Sequence, residues 1–570
     1  MKSSFFEFNV AISGLFTARA NLEVNAHNTA NAAIKGYSRQ YAEQRASHPL
    51  ATFNGKGMVG TGSEVYGIGQ FRDFYLDRKF WSERGVLGEY ATKQTQLSIT
   101  ESIFNELADS SLTKIFNHFF DTLQSLNENA GDFTYRTNMI QSAETLVSMI
   151  RFQSNSIYKQ QSDINEEIKA TVQIINSIGQ QIMSLNRQIS TYELDGSRAN
   201  DLRDQRARLV DELSLYVNVD VQEREVNKDY AAGKFPAPED RGKSDKRFTV
   251  MINGYEFVNH FDVFPITVRE RVAGEEHNPM DVPGLYDIYF ESGFKFDMYH
   301  PFLKGELKGL IDMRDGNNGT TEIDGKLHNT QYKGLPHYME KLNHLIRTLA
   351  RVFNEGKDKN GVDIHGVEGH IDGYDLYGNR GNLFFTYNDR YGNPIKITGY
   401  DYDGTPLIPV YTGPGFRESE PPARLRLDDE SFYNNINVFN FAINPDLFQD
   451  PALFAASSED LMDPSNNEIV KGFLQIKSYV GLFREGQLSD YISGMITELG
   501  IDRKQAEKFM KNYTDVTTMI DNQRIEISGV NLNEEMVDLV RNQQLYQAAA
   551  KLVNIIDSIY DTTVNRLGMW

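Results

Sequence analysis

Apolar residues recur every seven positions at both ends of the chain. Phe8, Leu15 and Leu22 share one heptad position, and Ile12, Ala18 and Ala26 fill the neighbouring stripe. This spacing keeps one side of a helix apolar. The pattern fades from Asn28 to Asn31 and stops at Gly36, a helix-terminating signal. At the other end Met536, Ala550 and Val564 occupy one position, interrupted by Gln543 and Asp557. Leu539, Tyr546, Val553, Tyr560 and Leu567 occupy the other. Both ends are therefore expected to be amphipathic helices.

Between them the periodicity changes several times. Residues 37–90 read as extended, with Val59, Val65 and Ile68 among closely spaced glycines. From about 90 to 215 the chain reads as helical. Ile150, Ile157, Ile164, Ile178 and Leu185 lie on one stripe broken only by Thr171, and Val147, Ile168, Ile175, Ile182 and Ile189 lie on a second. One long packed helix follows from that pair of stripes, with Gly179 a local weakness. The run Val217-Asn218-Val219-Asp220-Val221 alternates as a half-buried strand does. Phe248 to Ile252, the turn Asn253-Gly254 and Tyr255 to Val258 predict a hairpin, and Tyr286 to Phe290 predicts a further strand. Helical spacing returns at Leu342, Leu345, Ile346, Leu349, Ala350 and Phe353. Residues 357–465, rich in Gly, Asp, Asn, Tyr and Pro, read as short strands and loops, and the last hundred or so residues as helical. No tandem repeat or low-complexity tract is visible.

The expected fold class is α+β multidomain: a coiled-coil stem from the two ends, a long helical bundle, and one or two inserted β-rich domains. The domain division is 1–40 with 528–570 as the terminal coiled coil and 41–216 with 325–356 and 466–527 as the helical stem. A β-rich outer domain at 217–324 and a loop-rich insertion at 357–465 complete it. The simplest packing makes the two ends an antiparallel pair. Each then buries only one stripe, which is marginal for an isolated pair. Further cover must come from the same chain or from neighbouring copies. The assembly candidates are Phe8, Ile12, Leu15, Leu22 and Ala26 on the first helix. On the last they are Met536, Leu539, Gln543, Tyr546, Ala550, Val553, Tyr560, Val564 and Leu567.

Composition narrows the functions. The 570 residues carry 58 Lys+Arg against 79 Asp+Glu, a formal net charge of −21, with no cationic stripe. Nucleic-acid binding, which needs concentrated positive charge, is disfavoured. With no cysteine, disulfides, iron–sulfur clusters, thiolate zinc sites and thiol nucleophiles are excluded. No apolar run approaches the roughly 18 residues of a membrane span. The first residues lack the apolar core of a secretory signal, which leaves a dedicated export machine as a route out of the cell.

Candidate chemistry is sparse. Gly55 to Gly60 spells a dinucleotide fingerprint but has no strand before it and no helix after it. Asp363, His365, Glu368, His370, Asp372 and Asp375 form the densest set of potential metal ligands, without a supporting helical motif. Asp401-Tyr402-Asp403-Gly404 begins like a calcium loop but lacks its later ligands, and a β-turn is the simpler reading. Glu534-Glu535 suit a helix N-terminus capped by Asn531 or Asn533. Arg203, Arg206 and Arg208 among Asp201, Asp204 and Asp211 read as a solvated or inter-subunit ion-pair face. No metal, no cofactor and no catalytic residue is assigned.

Several segments carry a resemblance. Asn25-Ala26-His27-Asn28-Thr29-Ala30-Asn31 with Gly36-Tyr37-Ser38-Arg39-Gln40, then Gly60 to Val65 with Phe71 to Leu76, resemble the N-terminal signature of bacterial flagellar rod, hook and hook-associated proteins. Ser528 to Met536 with Gln543 to Ala548 is similar to that family's closing helix. Ala199 to Arg206 with Leu209 to Leu213, and Leu342 to Asn354 with Gly361 to Ile364, look like segments of its hook–filament junction members. The chain departs from the family at Ala33, Ile34 and Lys35 and in the extra tail Gly568-Met569-Trp570. The resemblance implies a non-enzymatic, extracellular flagellar subunit, exported unfolded by the type III apparatus without a cleaved signal. It would assemble with copies of itself in a tubular ring or helical layer. The implied partners are hook protein, a second junction protein (hook-associated protein 3) and an export chaperone on the C-terminal helix, with no nucleic acid and no membrane insertion. A hook or distal rod subunit is the alternative within the family. Outside it, the alternative is a surface protein with a hydrolytic domain in 357–465.

Overall fold

A computed structural model describes the chain apart from residues 1–5, 52–56, 105–110, 194–196, 227–244, 273–277, 301, 320–321, 324–325, 328–330, 390–391, 402–404, 411–422, 428–429, 461–464 and 563–570. The first helix, α1 (Phe6–Asn31), leads into strands β1 (Gln40–Ala46), β2 (Leu50–Ala51), β3 (Met58–Val59) and β4 (Ser63–Gln70). β1 pairs antiparallel with β4 and β2 with β3, so the segment is a hairpin with a smaller hairpin at its tip. The helices α2 (Phe74–Phe104), α3 (Leu112–Glu128), α4 (Phe133–Glu193) and α5 (Asn200–Tyr216) follow.

The start of α2 corrects the extended reading of 37–90, which holds only as far as Gln70. Gly85 and Gly88 weaken the helical signal there, but close packing requires Gly88. A Cβ on Gly88 would lie 2.2 Å from the Leu215 carbonyl oxygen, and one on Gly85 3.4 Å from that of Ser214. Gly88 thus lets α2 lie directly against the end of α5, while Gly85 meets it at ordinary contact distance. The long helix α4 is continuous through Gly179, whose bare Cα accepts the ring of Phe257.

After α5 an antiparallel sheet runs in the order β5 (Val219–Val226), β6 (Asp245–Ile252), β7 (Tyr255–Asn259) and β8 (Asp262–Val263). Asn253 and Gly254 turn the β6–β7 hairpin with φ of 50° and 82°, the two left-handed residues such a tight turn demands. β9 (Ile266–Glu270) pairs with β10 (Tyr286–Phe290). This lobe rests on α4, where Asn186 donates to the His260 carbonyl and Asn176 bonds both backbone polar groups of Ile266. Helix α6 (Glu306–Asp315) lies within the span read as β-rich, yet it packs on α2 and α4. The small hairpin β11 (Glu322–Ile323) and β12 (Lys326–Leu327) comes next, then α7 (Leu335–Glu355), which ends on left-handed Gly356.

The insertion that follows holds β13 (Phe385–Tyr387), β14 (Gly399–Tyr400), β15 (Pro406–Val410), β16 (Ala423–Arg426), α8 (Glu430–Asn435), β17 (Phe441–Ile443) and α9 (Asp446–Gln449). One turn recurs in it that the sequence did not reveal as a repeat. At Asp358, Asp375 and Asp389 the aspartate N–H donates to the carbonyl of the residue four positions on, whose own N–H returns to the aspartate carboxylate. It also receives the N–H of a left-handed glycine three positions on. Each carboxylate accepts at least one backbone N–H within its loop, as Asx-type turns do. The spacing between copies is irregular, which hid them.

The chain returns through α10 (Glu468–Ile476) and α11 (Leu488–Ser528), breaks at Gly529-Val530-Asn531, and closes with α12 (Leu532–Asp561). α11 runs antiparallel to α2: Tyr90 stacks on Phe509 and Tyr513, Arg503 pairs with Glu101 at 2.6 Å, and Arg524 lies over Phe80. Phe116, Phe119, Phe120, Phe353, Phe384, Phe385 and Phe473 join α3, α7, α10 and the insertion in one aromatic core.

Candidate assembly interface and its polar joint

The two ends of the chain lie side by side. α1 and α12 pack antiparallel, with Phe8 edge-on to Tyr560 at a 6.4 Å centroid separation. Near the other end of the pair Asn25 donates to the Glu535 carbonyl and accepts from Asn542. Phe8, Ile12, Leu15 and Leu22 are half-buried, as are Leu539, Ala550, Val553 and Tyr560, whereas Ala26, Met536, Gln543 and Tyr546 are exposed. Val564 and Leu567 lie outside the described residues. A second face of α12 was missed by the two-stripe reading: Val537, Val540, Leu545, Leu552 and Ile555 keep between 52% and 68% of their surface open. The seven-residue step from Leu545 to Leu552 was its signal.

The segment joining α1 to β1 turns the sequence signature into a polar joint. Asn28 accepts from the Gln40 N–H (2.9 Å) and donates to the Gln40 carbonyl (2.9 Å), closing the link from α1 to β1. Tyr37 donates to Asn28 and meets the His27 ring nitrogen. Burial, aided by Asp201, Asp204 and Glu535, raises the Tyr37 hydroxyl above its ordinary pKa, so it stays a donor. The Arg39 backbone N–H donates to the carbonyl of Ser528, the last residue of α11 (2.7 Å). Its guanidinium reaches Glu535 at 2.6 Å, Glu534 at 3.1 Å and Asp538 at 3.3 Å in the first turns of α12. Arg39 thus holds both sides of the break between α11 and α12. Asn531 caps α12 by accepting from Asn533, as the paired glutamates suggested.

Helix α5 forms the seat of this joint, which corrects the reading of its charges as a solvated face. Asp204 is buried and accepts from the backbone and hydroxyl of Ser38, both at 2.8 Å, and Arg72 lies 3.3 Å away. Burial raises the Asp204 carboxyl above its usual value, against the lowering by Ser38 and Arg72. Gln40 donates to Asp201 at 2.7 Å. Arg72 continues to Asp77 (2.6 Å), Asp77 to Arg524 (2.9 Å) and Arg524 to Asp211 (3.1 Å), where the Trp81 indole also donates. Arg206 is buried, 3.6 Å over the ring of Phe248, and burial lowers it to about 10. Alternating signs resemble a surface pattern in sequence. Here they are the internal wiring of one chain, because elements distant in sequence supply the partners.

The other candidates sit apart. His370 is buried, with one ring nitrogen at the Asn382 carbonyl and the other accepting the Ala455 N–H at 2.9 Å. Asp375 holds its own turn, while Asp363, His365, Glu368 and Asp372 are exposed. Among the described residues no group of three or more His, Cys, Asp or Glu could hold a metal ion, and no helix is long and apolar enough to cross a membrane. Gly55 and Lys56 of the glycine-rich run, and residues 402–404 of the calcium-like loop, lie outside the described residues.

Paired terminal helices closed by a polar clasp, joined to a long helical bundle that carries β-rich lobes, are the architecture of a structural protein. Sequence comparison agrees. A profile described as "Flagellar hook-associated protein FlgK helical domain" matches residues 97–385, half of the chain. One described as "Flagellar basal body rod FlgEFG protein C-terminal" matches 517–567. Flagellar hook-associated protein 1 of Bacillus subtilis (strain 168) is 25% identical over 584 residues, covering 100% of this chain and 99% of that protein. That of Escherichia coli (strain K12) is 25% identical over 617 residues, covering 98% and 99%. The flagellar hook junction protein FlgK from Burkholderia pseudomallei shares the fold, with a TM-score of 0.53 at 14% identity over 79% of this chain and 100% of that one. The chain belongs to the flagellar hook-associated protein FlgK family. It is a structural protein of the flagellar hook–filament junction.

Proposed function

We propose that the chain acts as an adaptor whose terminal helices complete their apolar contacts only in the flagellar axis. The observation that carries this reading is the open stripe Val537, Val540, Leu545, Leu552 and Ile555 on α12. It lies beside residues that already face α1. Large aliphatic side chains left half-exposed along one face of a helix are the usual mark of an interface, and full burial is worth about 1.5–3 kcal/mol each. In this reading residues 1–40 with 528–570 form the axial core, 41–216 with 325–356 and 466–527 the stem, and 217–324 and 357–465 the outward lobes. Copies of the chain form a ring or helical layer, with hook protein on one side and hook-associated protein 3 on the other. Export is by the flagellar type III apparatus, unfolded and without a cleaved signal, with a chaperone covering α12 beforehand. The absence of cysteine suits that passage. No catalytic step belongs to this role.

Deleting residues 529–570 tests it. The truncated chain is expected to keep the unfolding transition of its bundle and to fail to enter the flagellum. Retained motility in cells carrying only that truncation would overturn the reading.

A further inference from the structure

Helix α5 is fastened on two opposite sides to two different parts of the molecule. One side carries Asp201, Asp204 and Arg208, spaced three and four residues apart and therefore neighbours on one helix face. Asp201 and Asp204 hold Gln40 and Ser38. Arg208 reaches the Lys35 carbonyl at 3.4 Å, and its stem packs on left-handed Gly36. At the N-terminal end Asn200 donates to the Ile68 carbonyl of β4 at 2.9 Å. The opposite side carries Arg203 and Arg206. Arg203 grips Glu193 with two 2.7 Å bonds and Glu223 of β5 with one of 2.9 Å. Arg206 lies over Phe248 of β6 and donates to Asn186 of α4 at 2.9 Å.

By itself α5 is a weak helix. It has 17 residues, and Ala199 at its N-cap offers no side-chain hydrogen bond. In proteins most of a helix's stability comes from packing of its apolar face rather than from propensity. Its helical state therefore depends on packing, which α2 and α4 supply along its apolar face, while its two charged sides are fastened to the terminal joint and to the end of α4 with strands β5 and β6.

We propose that α5 is a shared strut, ordered jointly by the terminal linker and the outer lobe, so that loosening either fastening loosens the other. Asp204 and Arg206 are then positioning residues for the terminal pair and the lobe respectively. Because both fastenings draw on the same local opening of α5, the effect is reciprocal.

Hydrogen exchange on the full-length chain tests this, comparing wild type with Asp204→Asn, Arg206→Met and the milder Ser38→Ala. Asp204→Asn is expected to raise exchange about 10- to 100-fold at residues 37–46, the range for a buried partner left unsatisfied. It should also raise exchange measurably in α5 and in β5–β6. Arg206→Met is expected to act in the reverse order, and Ser38→Ala to repeat the first pattern more weakly. The antiparallel pair α2–α11 should keep its protection in all three. Changes confined to the mutated side would overturn the proposal, as would a uniform rise across the chain. So would a wild-type linker that exchanges at the unprotected rate. None of these outcomes depends on whether the chain enters the flagellum.

Discussion

Burial of His370 ties the stability of the insertion to pH. Near Asp363, Glu368 and Asp372 it resembled a metal ligand. In the fold it is a neutral core side chain bonded to two backbone groups, and burial lowers its pKa to about 4. A base whose folded pKa lies below its unfolded value of about 6.5 contributes stability fully above that pH, and loses it as pH falls toward 4. The loss is on the order of 3 kcal/mol for a fully buried group. Denaturant unfolding between pH 7 and 4 should show this decline. A His370→Gln variant should be less stable at pH 7 yet lack this part of the slope. Arg39 and Glu535 had the opposite history. Both lie in segments that resemble the family, but nothing in the sequence says that residues almost five hundred positions apart meet at 2.6 Å.

At the scale of elements, glycines separate local preference from packing. Gly88 sits in the middle of α2, where propensity alone would favour alanine by about 1 kcal/mol. An added methyl there would strike the Leu215 carbonyl oxygen at 2.2 Å, whereas one on Gly14 in α1 would meet nothing within 4 Å. Gly88→Ala should therefore lower the thermal midpoint of the bundle. Gly14→Ala should raise the helicity of the isolated chain slightly, by the propensity term alone. Circular dichroism melts of the two variants separate these outcomes; a stabilised Gly88→Ala would contradict the packing of α2 on α5. The uninterrupted α4 and the Asn253-Gly254 hairpin were legible because their side-chain periods and turn residues are local properties. The helical start of α2 was not, since its glycines answer to a neighbour.

For the whole molecule, the decisive feature is the apolar surface left open along α12. Leu552→Asp combined with Leu545→Asp changes only exposed positions. It should leave the unfolding midpoint of the bundle within about 0.5 kcal/mol of wild type, as surface substitutions usually do. The same double variant should abolish motility. Normal swimming would mean that this face stays in water in the flagellum, and that the adaptor uses another surface.

The helical ends, the long central helix, the hairpin strands and the family signature are all readable from the residues in order. These are written in spacing and in turn residues that act over a few positions. Only the folded chain shows that the signature is a clasp between its two ends, that Asp204 and Arg206 of α5 are buried, and that acids of the insertion brace its turns. Those outcomes depend on which distant groups come within hydrogen-bond reach. Burial and partner choice are properties of the folded arrangement, and no periodicity along the chain encodes them.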